Sequence, residues 1–85
     1  MEAVLHKNFK KQFKKLSPKI QNQFFERLDI FLEDKFNPVL KNHSVDNAYL
    51  GCRSINVTGD YRAIFQEDNE VVTFKKIGTH SELYG

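Results

Sequence analysis

Residues 49–77, YLGCRSINVTGDYRAIFQEDNEVVTFKKI, carry three runs of β-forming residues separated by short polar connections. The runs are residues 49–58, 61–66 and 71–77. Apolar and polar side chains alternate along them, as expected for strands with one buried face. Because residues 58–60 and 67–70 are short polar connections, the stretch predicts antiparallel hairpins. The register of the third strand stays open, because both of its faces carry apolar residues.

The residues before this stretch predict two helices. Phe9, Phe13 and Leu16 recur with helical spacing among lysines, which predicts a first helix over about residues 7–16. Residues 17–18, Ser-Pro, end this helix and start another, because serine caps free N–H groups and proline suits the first helical position. The two helices are therefore predicted to form an antiparallel hairpin.

The second helix is predicted to end near Asp34 and to carry one apolar side. That side consists of Ile20, Phe24, Leu28 and Phe31, joined by Phe25 and Leu32. Because the residue before Pro38 is disfavoured in the helical conformation, residues 37–48 are predicted to form a loop. Residues 3–5 suit a short edge strand. This order predicts an α+β fold, in which the N-terminal helical hairpin packs on one face of a small antiparallel sheet.

The composition indicates a globular chain with a small core. Residues 1–85 are expected to form a single domain, in which 40% apolar residues build the core and 28% charged residues favour solubility. Cys52 is the one cysteine and cannot form an internal disulfide. No apolar run is long enough to span a membrane, and we expect no signal peptide at the lysine-rich N-terminus. The expected location is the reducing cytoplasm.

Positive charge concentrates near the N-terminus. Residues 1–20 hold six lysines against one glutamate, a local charge of +5 in a chain whose net charge is +2. The lysines are Lys7, Lys10, Lys11, Lys14, Lys15 and Lys19. This helix face either attracts a phosphate-rich or acidic partner or is simply solvated, and charge alone does not choose between them.

The polar residues favour phosphoryl chemistry without a metal. The sequence has no phosphate-binding glycine loop, no Cys and His spacing suited to zinc and no HExxH motif, so we expect no metal and no cofactor. His80 is a candidate for chemistry, because Leu83 and Tyr84 can anchor the tail that carries it. A set of His, Asp, Arg, Lys and Tyr suits RNA cleavage, which needs a base for the 2′-OH, an acid for the leaving 5′-oxygen and cations for the phosphate.

Strand alternation sorts the side chains of the first long strand between two faces. It places Ser54 and Asn56 on one side and Ile55 and Val57 in the core. Arg53 shares the side of Ile55 in a regular strand, so its exposure requires an edge position or a bulge. The face opposite the helices is therefore the predicted position of the functional site.

Two segments resemble the RelE/ParE superfamily of bacterial toxins. Residues 53–65, RSINVTGDYRAIF, and residues 77–84, IGTHSELY, are most similar to the RelE and YafQ branch of mRNA interferases in type II toxin-antitoxin systems. The resemblance extends over nearly the whole chain and includes its size, the order of its helices and its basic first helix. It implies a RelE-like fold and a ribonuclease activity.

The resemblance also implies roles for individual residues. His80 corresponds to the principal catalytic histidine, acting as general acid or base, and Tyr84 to a closing aromatic residue that places the substrate. Asp60, next to the aromatic Tyr61, and His43, in the loop before the first long strand, correspond to assisting acid–base groups. Each also has a structural interpretation: Asp60 suits a turn, and Tyr84 suits a hydrophobic anchor.

Further positions are implied to bind RNA or phosphate. They are Arg62, Lys76, Arg53, Asn56 and Tyr61. Asn56 stands where the YafQ type has a histidine and cannot act as a base, while Lys76 stands where it has an arginine and lacks a bidentate fork. Arg62 matches a basic position of the RelE branch and is available to supply that guanidinium.

The function implied by the resemblance is a toxin that cleaves mRNA on the ribosome. The alternative is a binding module, either a ParE-like gyrase inhibitor or a degenerate toxin that only holds its antitoxin, but the tail at residues 77–84 fits the nuclease branch better. The implied partners are mRNA, the ribosome and a cognate antitoxin in a hetero-oligomer, with no membrane. The antitoxin is expected either to mask the lysine face or to displace the tail that carries His80.

Overall fold

The computed structural model describes all residues from Met1 to Gly85. In chain order the elements are β1 (Glu2–Leu5), α1 (Lys7–Phe13), α2 (Pro18–Glu33), a 3-10 helix (Pro38–Leu40), β2 (His43–Ser44), β3 (Arg53–Asn56), β4 (Tyr61–Asp68), β5 (Val71–Thr79) and α3 (His80–Tyr84). The five strands form one sheet in the order β1-β5-β4-β3-β2, in which only the β1–β5 pair is parallel. The predicted α+β fold with N-terminal helices is confirmed.

The helix boundaries follow the local signals in the sequence. Ser17 caps α2 by accepting a hydrogen bond from the Ile20 N–H at 3.4 Å, and Asp34 is the C-terminal cap. α1 ends at Phe13, earlier than predicted, because Lys15 and Leu16 donate to carbonyls only three residues back and so tighten the last turn. None of the helices has the length and apolar composition that crossing a membrane requires.

The first long strand is shorter than its sequence pattern predicts. β3 begins only at Arg53, because residues 45–52 form a compact turn in which the Tyr49 N–H donates to the Val45 carbonyl and the Cys52 N–H donates to the Tyr49 carbonyl. Gly51, at φ 76°, provides the left-handed conformation that this turn needs. The predicted loop over residues 37–48 correspondingly contains the 3-10 helix and β2.

A β-bulge settles the register of β5. Ile64 pairs with Lys76, but the next residue of β4, Phe65, pairs with Phe74, so Lys75 is an extra residue in β5. Phe74 and Ile77 consequently both enter the core under the helices. Lys76, paired with Ile64, lies on the other face. The bulge therefore lets two apolar residues that a regular strand would place on opposite faces lie on the same, core-facing side.

The sheet carries a hydrophobic cluster on each face. The larger cluster lies under α1 and α2 and includes the buried rings of Phe9, Phe24, Phe31, Phe65 and Phe74. The smaller cluster, on the opposite face, contains Val45, Cys52, Ile64 and Leu83. It attaches the turn at residues 45–52 and helix α3 to the sheet, and these two segments border the candidate site.

Candidate active site

A cleft of about 470 Å³ opens on the sheet face opposite the helical hairpin. Its lining consists of His43, Arg62, His80 and Tyr84, together with residues 44, 45, 47 and 48. Pairing across strands explains why His43 and Arg62 share this face. His43 pairs with Ser54, which pairs in turn with Ile64, so these three side chains lie on one face. Arg62 lies two residues before Ile64 in β4 and therefore shares that face. The structure thus brings together four of the residues selected from the sequence.

Helix α3 fixes the position of His80. Thr79 caps the helix by accepting from the Glu82 N–H at 3.2 Å, while the Glu82 carboxylate accepts from the Thr79 N–H at 2.8 Å, which completes a capping box. The His80 N–H donates to the Asp60 carbonyl at 3.3 Å. Gly78 leaves room for the Glu82 side chain at the start of α3, because a Cβ at position 78 would lie 3.1 Å from Glu82 Oε1. The imidazole is therefore presented from an anchored helix start.

Tyr84 lies one turn after His80, and the two ring centroids are 4.8 Å apart. Tyr49 supports this end of the helix by donating its hydroxyl to the Leu83 carbonyl and by packing its ring 6.0 Å from that of Tyr84. Burial raises the pKa of Tyr49, and the neighbouring Tyr84 raises it further. The Tyr84 hydroxyl is buried without a hydrogen-bond partner in the protein. The Tyr84 ring nevertheless lines the cleft beside His80.

The Lys41 carbonyl holds both His43 and Arg62. It lies 2.8 Å from His43 Nδ1 and accepts from Arg62 Nη2 at 3.1 Å. The same Nδ1 lies 3.4 Å from the donor Arg62 Nη2, but the carbonyl contact is the shorter one. Because a carbonyl oxygen can only accept, this shorter contact favours the tautomer with a proton on Nδ1 and Nε2 as the acceptor. Burial lowers the pKa of Arg62, an effect opposed by Tyr84, but an arginine side chain stays protonated at neutral pH.

These contacts bring two imidazoles, one guanidinium and one phenol to a single cleft. His43 and His80 are both exposed to solvent, as groups that exchange protons with a substrate must be. Arg62, by contrast, is partly buried and fixed by hydrogen bonds, which suits a cation that stabilises developing charge. The arrangement can therefore provide a base, an acid and a phosphate-binding group together.

Three other candidates lie around the cleft without lining it. Asp60 is exposed in the β3–β4 turn and is joined to His80 through its carbonyl. Asn56 pairs with Arg62 across β3 and β4 and is partly buried. The Lys76 ammonium lies 5.8 Å from the centre of the Tyr49 ring, on the same side of the sheet as Ile64.

Arg53 and Tyr61 lie on the helix-covered side. Arg53 donates to Asn42 Oδ1 at 2.8 Å and lies 5.7 Å from the centre of the Phe36 ring. Tyr61 packs against the core under α1 and α2. Both follow the regular alternation of their strands, because Arg53 shares its face with Ile55 and Tyr61 shares its face with Ala63. The structure therefore separates them from the cleft.

Sequence reasoning did not select three contributors to the site. Tyr49 was predicted to begin a strand, but the turn at residues 45–52 brings it against Tyr84. Ser54 was assigned to the polar face, and only the tertiary contact shows that it accepts from Arg62. Lys41 acts through its carbonyl, which no side-chain pattern can identify.

Comparison with known proteins places the chain among bacterial toxins. A family profile described as "Bacterial toxin of type II toxin-antitoxin system, YafQ" matches residues 1–85. A search of curated proteins gives no significant sequence match. The family assignment therefore depends on the profile match.

Solved structures of low sequence identity share the fold. YafQ from E. coli strain BL21(DE3) superposes with a TM-score of 0.83 at 19% identity, over 99% of this chain and 98% of that chain. The E. coli DinJ-YafQ toxin-antitoxin complex gives a TM-score of 0.76 at 21% identity, over 99% and 97%. The RelB-RelE antitoxin-toxin complex from Methanococcus jannaschii gives 0.75 at 16% identity, over 95% and 94%. The architecture around the cleft is thus that of the RelE-like toxin fold.

Proposed function

This chain belongs to the YafQ family of bacterial toxins from type II toxin-antitoxin systems, and from that membership we propose that it is a metal-independent endoribonuclease that cleaves mRNA on the ribosome. The family resemblance inferred from the sequence is confirmed by the profile match over residues 1–85. The observation that carries the proposed activity is the convergence of His43, Arg62, His80 and Tyr84 on one cleft. Each of these side chains has a role in phosphodiester cleavage.

The proposed reaction is an internal transesterification of RNA. His43 Nε2, left as an acceptor by the Nδ1 contact with Lys41, takes the proton from a ribose 2′-OH. The 2′-oxygen attacks the adjacent phosphorus, the P–O5′ bond breaks, and His80 donates a proton to the leaving 5′-oxygen. The products are a 2′,3′-cyclic phosphate and a 5′-hydroxyl, so atoms and charges balance. Arg62 stabilises the charge that accumulates on the phosphate in the transition state.

The remaining candidates have secondary roles in this proposal. Tyr84 stacks on or positions the substrate beside His80, because its ring lines the cleft 4.8 Å from the His80 ring. Asp60, Asn56 and Lys76 lie around the cleft, where they contact the flanking RNA or assist proton transfer. Arg53 and Tyr61 have no part in catalysis, because they lie on the other side of the sheet.

The activity is tested by adding the purified protein to an in vitro translation reaction in the presence of a chelator and mapping mRNA ends by primer extension. We expect discrete cuts within translated codons, and few cuts in the same mRNA without ribosomes. Intact messages would refute the nuclease proposal. DNA damage in expressing cells without RNA cuts would instead support the alternative, gyrase inhibition.

We also propose that a cognate antitoxin silences this toxin, as the complexes of DinJ with YafQ and of RelB with RelE suggest by their composition. The exposed lysines of α1 and its C-terminal end offer a surface for an acidic segment of the antitoxin. They are Lys10, Lys11, Lys14 and Lys15. Complementary charge on the two proteins mainly raises the rate at which toxin and antitoxin associate.

Association with the antitoxin is therefore expected to depend on salt. Raising the ionic strength from about 0.05 M to about 0.5 M should lower the on-rate by about tenfold, because the Debye length shrinks from about 14 Å to about 4 Å. Changing the four lysines to Gln should lower the low-salt on-rate and flatten its salt dependence, as stopped-flow fluorescence can measure. An on-rate indifferent to salt and to these changes would remove the lysine face from the interface.

A further inference from the structure

Ser54 is the only polar residue among the buried side chains of the protein. It lies in β3 between His43 of β2 and Ile64 of β4, with its side chain fully buried on the face that carries the cleft. A buried hydroxyl needs a hydrogen-bond partner, and here the partner is Arg62 Nε, which donates to Ser54 Oγ at 2.6 Å. The proposed reaction gives Ser54 no direct role, so its burial in the sheet calls for another explanation.

The contact with Ser54 determines the direction of the Arg62 side chain. Arg62 lies diagonally across the strand pair from Ser54, and binding Nε there directs the guanidinium across β3 towards β2. The second fixed point is the Lys41 carbonyl, which accepts from Nη2 at 3.1 Å. Two anchored nitrogens define the plane of the guanidinium. Its Nη1 makes no hydrogen bond within the protein and stays free for a phosphate oxygen.

Lys41 adopts a conformation that lysine seldom takes, which supports the importance of its carbonyl. Its φ of 48° and ψ of 46° lie in the left-handed region, where a side chain with a Cβ is strained. This conformation accompanies the placement of one carbonyl oxygen within reach of both His43 Nδ1 and Arg62 Nη2. Base and cation are thereby held 3.4 Å apart at their nearest ring and guanidinium nitrogens.

We propose that Ser54 is a positioning residue for catalysis, which acts by anchoring Arg62 Nε and never touches the RNA. The inference rests on the proposed ribonuclease function. Without the anchor, the arginine side chain retains its charge but samples several rotamers, so the cation is no longer preorganised at the reacting phosphate. Ground-state binding of the message depends on many other contacts and changes little.

The first test is Ser54→Ala in the ribosome-dependent cleavage assay. We expect kcat to fall by about tenfold, since loss of preorganised charge stabilisation acts on the transition state, while KM changes by less than about threefold. Thermal unfolding followed by circular dichroism identifies any folding defect. Unchanged kcat in the folded variant would overturn the proposal.

The second test separates anchoring of Arg62 from a general structural role. Lysine lacks the Nε–H that Ser54 accepts, so Arg62→Lys removes the anchored group while it keeps the positive charge. In the Arg62→Lys background, we expect Ser54→Ala to lower kcat by less than about twofold, because the two changes disrupt one interaction. A tenfold loss in both backgrounds would show that Ser54 acts independently of Arg62 and would overturn the inference.

The two tests distinguish failure of the positioning role of Ser54 from failure of the ribonuclease function on which it rests. If the wild-type protein leaves translated mRNA intact, the ribonuclease function fails, and the positioning role fails with it. If wild type cleaves and the losses from Ser54→Ala and Arg62→Lys simply multiply, only the positioning role fails. If Ser54→Ala lowers kcat tenfold when Arg62 is present but not in the Arg62→Lys variant, the result supports both the ribonuclease function and the positioning role.

Discussion

Replacing His80 with alanine is expected to lower the rate of mRNA cleavage by about 10²- to 10⁴-fold, the usual contribution of a general acid or base. His80 lines the cleft at the start of α3, and its backbone is held by the capping box and by the Asp60 carbonyl. The substitution keeps these backbone contacts and removes only the imidazole. The loss should therefore lie in kcat, and expression of the variant should no longer arrest growth.

His6→Ala is the matched control for this prediction. His6 is outside the cleft, where its Nδ1 accepts from the Asn8 N–H at 3.1 Å and caps α1. Loss of this cap costs about 1 kcal/mol of stability and should leave cleavage close to wild type. Retained antitoxin binding by His80→Ala would show that the variant is folded. Full cleavage by that folded variant would contradict the catalytic role.

Phe74→Ala is expected to destabilise the fold by about 3–5 kcal/mol, because it removes a fully buried ring from a packed cluster. The Phe74 ring centre lies 5.3 Å from that of Phe24 and 5.5 Å from that of Phe65, and about as close to two further rings. A chain of this length has a total stability of about 4–13 kcal/mol. The variant should therefore unfold at a much lower urea concentration, or fail to fold.

Phe36→Ala provides the matched control, because the Phe36 side chain is 60% exposed. Its contacts with the Lys35 ammonium and the Arg53 guanidinium contribute about 0.5–1 kcal/mol at such a surface site. Urea denaturation of the two variants should thus show a large shift in midpoint for Phe74→Ala and a small one for Phe36→Ala. Equal shifts would contradict the assignment of Phe74 to the centre of the core.

The elements with strong local signals were predictable from the sequence. The Ser17-Pro18 pair starts α2 as expected, since capping and the fixed φ of proline act within a few residues. Residues 3–5 are predicted to suit a short edge strand, and the structure has β1 at the sheet edge over Glu2–Leu5, although its parallel pairing with β5 is not predicted. The strand prediction is wrong for residues 49–52, which belong to the turn at residues 45–52, because the apolar residues of this turn pack on the sheet rather than within it.

The site was predictable only in part, because local signals in the sequence do not show which residues meet in the folded sheet. The sequence analysis selects His80 and Tyr84 but does not predict helix α3, whose single turn brings the two rings together. Arg53 and Tyr61 are implied by the family resemblance, but the structure places them on the opposite face, as strand alternation already indicates for Arg53. Side-chain chemistry alone does not distinguish the two faces of a sheet.

From the amino-acid sequence follow the two helices, the α+β class, the family resemblance and the choice of His80, because each depends on residue types and short spacings. The bulge at Lys75, the turn that brings Tyr49 to Tyr84 and the contacts of Ser54 and Lys41 with Arg62 follow only from the tertiary structure. They join residues up to 35 positions apart. Such contacts depend on strand register, and register results from packing both faces of the sheet at once.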